Sequence, residues 1–166
     1  MRGQTATATA GPAAPAGSGA VIEVRDLRRR YGGGTGFEAV RGISFSVRQG
    51  ELFALLGTNG AGKTSTLELV EGMAAPSAGT VRVFGRDPYT ERGAVRPRTG
   101  VMLQEGGFPG DLTVVETARM WSSTLSRPRP VRRALELVEL AHRERTAVKQ
   151  LSGGERRRLD LALAVL

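Results

Sequence analysis

The chain has 166 residues, enough for one domain with a hydrophobic core. It has no cysteine and a single histidine, His142, which excludes a disulfide framework, a thiolate metal site and a histidine-based zinc cluster. The net charge is +8, and all but Lys63 and Lys149 of its 24 basic residues are arginine; no basic run is interleaved with aromatics, so arginine scattered over solvated faces is expected rather than a nucleic-acid surface. A positive surface also suits residence beside an anionic membrane leaflet.

Apart from Met1 and Gln4, residues 1–20 are Ala, Gly, Thr, Pro and Ser with one Arg. That composition predicts a flexible tail, and the absence of a continuous apolar core argues against a signal peptide. No stretch of the chain approaches the roughly 18 apolar residues of a membrane span. Ordered structure is expected from Val21 to Arg25 as a short strand, followed by Tyr31 and a loop over Gly32–Gly36. Ile43, Phe45 and Val47 alternate with Ser44, Ser46 and Arg48, the period of a half-buried strand. Gln49-Gly50 turns the chain.

Leu52-Phe-Ala-Leu-Leu56 is a run of apolar residues that reads as a parallel strand buried on both faces. It leads into Gly57-Thr-Asn-Gly-Ala-Gly-Lys-Thr64, which fits G-x-x-x-x-G-K-[ST], the phosphate-binding loop. A helix with Leu67 and Val70 on its apolar side is expected over Ser65–Glu71. In this strand, loop, helix context, Gly57, Gly60 and Gly62 let the backbone bend and approach a ligand. The N–H groups of Thr58, Asn59 and Ala61 and those of the first helical turn then face an anion. Lys63 reaches the outer phosphates as a point charge, and the Thr64 hydroxyl binds Mg²⁺.

Further on, Pro76–Gly79 reads as a turn and Thr80–Phe84 as an alternating strand with Val81 and Val83 on one face. Gly100–Leu103 reads as a short apolar strand ending at Gln104, before the loop Glu105–Gly110. Thr113-Val-Val-Glu116 has capping-box spacing, predicting a helix to about Leu125. Pro130 is placed as the first residue of the next helix, whose Val131, Ala134, Leu135 and Val138 make an apolar stripe. Residues 113–140 are thus a helical segment inserted in an α/β core. Leu151-Ser-Gly-Gly-Glu155 opens a last helix over Arg156–Leu166. Two readings fit it: a capping box of Ser152 and Glu155 with glycines that let the chain turn, or an anion site made by the Ser152 hydroxyl and the N–H groups of Gly153 and Gly154.

The phosphate loop, with Ser152 of Leu-Ser-Gly-Gly placed 89 residues beyond Lys63, resembles the ATP-binding cassette (ABC) family over about residues 21–166. Glu155 stands where the family signature has glutamine. The resemblance implies an α/β fold: a P-loop NTPase core with an N-terminal antiparallel β-subdomain and an inserted helical subdomain at about 111–150, cut short after the signature helix. It implies ATP and Mg²⁺ as cofactors and Gly57 to Ser65 as the nucleotide grip. By the same resemblance Tyr31 stacks on adenine. Gln104 is the Q-loop residue that contacts Mg²⁺ or the attacking water. Ser152, Gly153 and Gly154 act on the ATP of a second cassette in a head-to-tail dimer. The implied setting is the inner face of the cell membrane, beside a separate permease, with the wording of Leu112–Glu116 closest to drug- and polyketide-exporting cassettes. A translation-factor cassette or an inert truncated product are the alternatives. The family's Walker B aspartate, catalytic glutamate and switch histidine have no counterpart here. The aspartates are Asp26, Asp87, Asp111 and Asp160, no Asp-Glu pair occurs, and His142 precedes the signature. ATP binding with little or no hydrolysis is therefore expected, and an unpaired sheet edge with exposed apolar surface.

Overall fold

A computed structural model describes residues 19–32, 36–103 and 107–166. Tyr31 and the glycines on either side of the 33–35 gap are described; Gln104 lies outside the described residues. The chain divides into two units, one ending at Arg96 and one spanning Pro97–Leu166.

In the first unit β1 (Ala20–Tyr31) is the centre of an antiparallel sheet, flanked by β2 (Phe37–Arg48) and β3 (Ala78–Val83) in the order β2-β1-β3. Val24 faces Phe45 on one side and Val81 on the other; Ile22 lies between Val47 and Val83. These side chains, with Leu27, Val40 and Val95, form the core against which α1 (Lys63–Val70) packs through Leu69. β1 runs six residues past the expected Arg25. The register slips between Val24 and Leu27, where Asp26 adopts φ 46° and its N–H donates to Ser44 Oγ at 2.8 Å. This bulge sets Val24 and Leu27 on the same side, three residues apart, and hides the strand from a period-two reading.

Three expectations for this unit are corrected. Leu52–Leu56 forms no strand: no ladder partner lies beside it among the described residues, and Leu52 is 99% exposed. A parallel strand exists only when neighbours take up its N–H and C=O groups, and the apolar run alone supplies none. In α1 the buried residues are Thr66 and Leu69, while Leu67 is exposed, so the inward face is rotated by one position from that expected. Ala78 and Gly79 belong to β3 rather than to a turn. A Cβ on Gly79, at φ 80°, would lie 2.3 Å from the Asp26 carbonyl oxygen, so the β1 bulge fits only against glycine. A short helix, α2 (Arg92–Val95), buries Val95.

The second unit is helical: α3 (Val114–Ser122), α4 (Val131–Leu137) and α5 (Gly153–Ala164). Their shared core holds Val114, Ala118, Leu135, Leu140, Leu159 and Leu163, among others. The stripe expected on α4 is present, with Ala134, Leu135 and Val138 buried. Pro130 is the N-cap rather than the first helical residue: its ψ of 127° is extended, and its carbonyl accepts the first helical bond from Ala134 N–H. The segment before α3 pairs with the one before α5, through Val114 N–H to Thr146 O and Val148 N–H to Leu112 O. Gly100–Leu103 is not a strand, for the same reason as Leu52–Leu56, and Leu103 is exposed.

Candidate functional site

The site starts from the way three helices begin. α3 and α5 each carry a full capping box. Thr113 Oγ1 accepts from Glu116 N–H while Glu116 Oε2 accepts from Thr113 N–H at 2.8 Å. Ser152 Oγ accepts from Glu155 N–H at 3.2 Å while Glu155 Oε2 accepts from Ser152 N–H at 2.9 Å. α1 has no such cap. Its N-cap is Gly62, with φ 85° and no side chain to offer. The first helical bond is Thr66 N–H to Gly62 O at 2.8 Å, so the N–H groups of Lys63, Thr64 and Ser65 precede it. Donors at the positive end of a helix, left without a capping oxygen, suit an anion.

The loop geometry is set by glycine at two positions. Gly60 has φ 82°, in the left-handed region. Gly62 is left-handed too, and a Cβ there would lie 2.1 Å from the Ala39 carbonyl oxygen of β2. The loop therefore lies against the hairpin as well as against α1. Ala61 N–H donates to Thr58 O at 3.2 Å, closing the bend over Asn59 and Gly60. Lys63 folds back over it, and its Nζ donates to Gly57 O and Thr58 O, each at 2.8 Å. These are neutral acceptors, and an anion at the loop would compete for the ammonium with a charge-assisted bond about twice as strong. Thr64 is exposed at the same helix start. A cavity of about 150 Å³ between β2 and the loop has mainly apolar walls, including Val40, Ile43 and Leu55, and reaches Lys63 at one end.

Tyr31 is drawn to the same helix. Its hydroxyl lies 3.1 Å from Ser65 Oγ and donates to Glu68 Oε2 at 3.2 Å, and the Arg29 guanidinium lies 4.8 Å from the ring centroid. The structure thus gathers Tyr31, Gly57, Thr58, Asn59, Gly60, Ala61, Gly62, Lys63, Thr64 and Ser65 in the first unit. Sequence reading missed Glu68 and Arg29 because contacts across 37 and two residues, to a strand end of unread length, leave no periodic signal.

At the start of α5, Gly153 and Gly154 are the first two helical residues, neither with positive φ, so the expectation that they turn the chain is corrected. A Cβ on either would meet nothing within 4 Å. Neither conformation nor packing calls for glycine there. The Glu155 carboxylate, its side chain 10% exposed, accepts from Arg143 Nε at 2.7 Å. Bonds from Ser152 N–H, Arg143 and the Ser152 hydroxyl hold its pKa down at about 2. The charge introduced in place of glutamine is therefore matched inside the protein. His142 is exposed in a single 3₁₀ turn, Ala141–Arg143.

Comparison with known proteins bears on this arrangement. The family model described as ABC transporter matches residues 40–166. The chain belongs to the ABC transporter family. It is 40% identical over 155 residues to the Nod factor export ATP-binding protein I of Ralstonia nicotianae, covering 90% of this chain and 47% of that protein. It is 35% identical over 152 residues to the doxorubicin resistance ATP-binding protein DrrA of Mycobacterium tuberculosis, covering 87% of this chain and 45% of that one. The chain thus spans about half the length of the curated relatives it matches. Among solved structures it superposes on cbiO1 from Clostridium perfringens, part of the ABC transporter complex cbiONQ, with a TM-score of 0.76 at 23% identity, over 88% of this chain and 61% of that one. The ADP conformation of MJ1267, an ATP-binding cassette of an ABC transporter, gives 0.72 at 20% identity, over 87% of this chain and 64% of that one. The α/β fold of the ABC ATPase is thereby established for the chain.

Proposed function

We propose that the chain grips Mg·ATP at α1 and serves as the ATP-binding part of an ABC exporter. The observation that carries this reading is the start of α1, which like that of α4 has no side-chain cap and whose N–H groups lie beside the Lys63 ammonium on a glycine-bent loop. In the proposed complex the N–H groups from Gly60 to Ser65 surround the outer phosphates and Lys63 exchanges its two carbonyl partners for phosphate oxygens. Mg²⁺ would arrive with the triphosphate, and the Thr64 hydroxyl would be its protein ligand; Gln104, the other metal ligand that the resemblance implies, lies outside the described residues. Bound there, the ion neutralises charge on the phosphates. Tyr31 supplies the stacking surface for adenine.

The exporter reading draws on the relatives, named for Nod factor export and doxorubicin resistance. Within it, a separate permease and a second cassette are the partners, and the inner face of the cell membrane is the place of work. No helix of the described residues is long and apolar enough to cross a membrane. Ser152, Gly153 and Gly154 face the γ-phosphate of the second cassette's ATP. The two glycines, unneeded by the fold itself, support this part, because a ligand oxygen approaching the helix start excludes side chains. Hydrolysis by the chain is proposed to be slow. Asp87 accepts from the Tyr89 and Thr90 N–H groups, Asp111 pairs with Lys149, and Asp160 pairs with Arg157.

Titration with Mg·ATP followed by calorimetry tests the reading. Lys63→Ala is expected to abolish binding while the circular dichroism spectrum stays that of the parent chain. Binding retained by that variant, or steady-state ATP turnover that Lys63→Ala removes, would contradict the grip and the slow hydrolysis respectively.

A further inference from the structure

Glu68 has no role in the reading above, and α1 gains nothing from it as a helix. It lies in the last turn of Lys63–Val70, next to the negative end of the helix, where an acidic side chain is unfavourable. It also repels Glu71 three residues on, whose carboxyl is raised by burial and then by this neighbour. Among the described residues, its side chain makes a bond to Tyr31: Oε2 accepts from the Tyr31 hydroxyl at 3.2 Å, beside the 3.1 Å contact of that hydroxyl with Ser65 Oγ. Ser65 and Glu68, three apart, stand on one face of α1 and receive the phenol together.

Tyr31 is the last residue of β1 and is 40% exposed at the strand end. An aromatic side chain so placed has several rotamers open to it. Two contacts remove that freedom. Arg29 lies over one face of the ring at 4.8 Å and is itself tied down, its Nη1 donating to Ala75 O at 2.6 Å. The hydroxyl is pinned to Ser65 and Glu68. Ser65 is two residues beyond Lys63 on the same helix, so the ring is indexed to the helix end that bears the phosphate donors.

We infer that Glu68 is a positioning residue for the base of the bound nucleoside triphosphate, fixing the Tyr31 ring at a set place relative to the helix that holds the phosphates. The inference rests on the nucleotide reading of the preceding section. Its signature is selectivity: Glu68 acts on ligands that carry a base and is silent toward a bare polyphosphate.

The test compares Mg·ATP with magnesium tripolyphosphate on the full chain, by calorimetry. The parent chain is expected to bind ATP about 5- to 100-fold more tightly, the range of one stacked base. Glu68→Ala and Tyr31→Phe are each expected to shrink that ratio about 3- to 10-fold, as one lost hydrogen bond does, with tripolyphosphate affinity unchanged. The double variant should lose no more than the worse single one. Glu68→Gln keeps an acceptor and should stay within about 2-fold of the parent ratio. The inference is overturned if Glu68→Ala leaves the ratio alone, weakens both ligands equally, or is matched by Glu68→Gln. It also falls if Tyr31→Phe keeps the parent ratio. A parent chain that binds both ligands equally would remove the base site but leave the phosphate grip standing; one that binds neither would remove the nucleotide reading itself.

Discussion

At the level of single residues, the second unit shows how a nearly buried charge is matched by protein partners. Glu155 is held by three bonds, and its pKa falls from the ordinary 4.5 to about 2. A group whose folded pKa lies below its unfolded one stabilises the fold above the unfolded value. That contribution is lost as pH falls toward the folded value. The window is therefore from about pH 4.5 down to about pH 2. Glu155→Gln keeps an oxygen for Ser152 N–H but has no proton to take up. Melting temperatures recorded by circular dichroism from pH 6 to pH 2 should fall less steeply for the variant across that window. Glu116, lowered by its bonds to the Thr113 hydroxyl and N–H, remains to give the variant a residual acid slope. Identical slopes for the two proteins would mean that the bonds from Ser152 N–H and Arg143 to the carboxylate are not formed in solution.

Among the elements, the capped helices make a matched pair for comparison. Thr113 and Ser152 have the same box; Thr113 is half-buried with its Oγ1 also donating to Glu116 Oε2 at 2.6 Å, and Ser152 is exposed. Removing an N-cap hydroxyl typically costs about 1 kcal/mol. Thr113→Ala and Ser152→Ala should each lower stability to urea by about that amount, while calorimetry shows parent-like Mg·ATP affinity for both, since neither belongs to the phosphate loop or α1. A Ser152→Ala chain that fails to fold would show that the hydroxyl serves the fold first. These helix starts were legible in the sequence because a capping box lies within four residues. So was the glycine bend ahead of α1, whose glycines, lysine and threonine lie within eight residues. The strands were legible only where alternation was unbroken: Ile43 to Val47 and Val81 with Val83 read correctly, whereas the bulge at Asp26 concealed half of β1. Leu52–Leu56 and Gly100–Leu103 misled for a different reason. Apolar content says that a segment can be buried, but pairing partners decide whether it is, and those are not local. The Arg143–Glu155 and Tyr31–Glu68 pairs were out of reach for the same reason, each joining residues with no intervening period.

For the molecule as a whole, each unit has its own core, and apolar surface remains outside both. Leu52 is 99% exposed, Leu56 76% and Leu103 62%. Segments with free main-chain groups and apolar side chains template pairing with other chains. The chain is therefore expected to self-associate as its concentration rises. A single substitution separates this account from its opposite. Leu52→Lys places a charge where the structure shows solvent, so it should leave the melting temperature within the spread of ordinary surface changes, about 0.5 kcal/mol in stability, and reduce the aggregate seen by light scattering. Were Leu52–Leu56 instead a buried central strand, the same lysine would be forced into an apolar interior without a partner, and the chain would lose several kcal/mol or fail to fold. A lysine variant that melts far below its parent would return the segment to a sheet and remove the expected aggregation along with it.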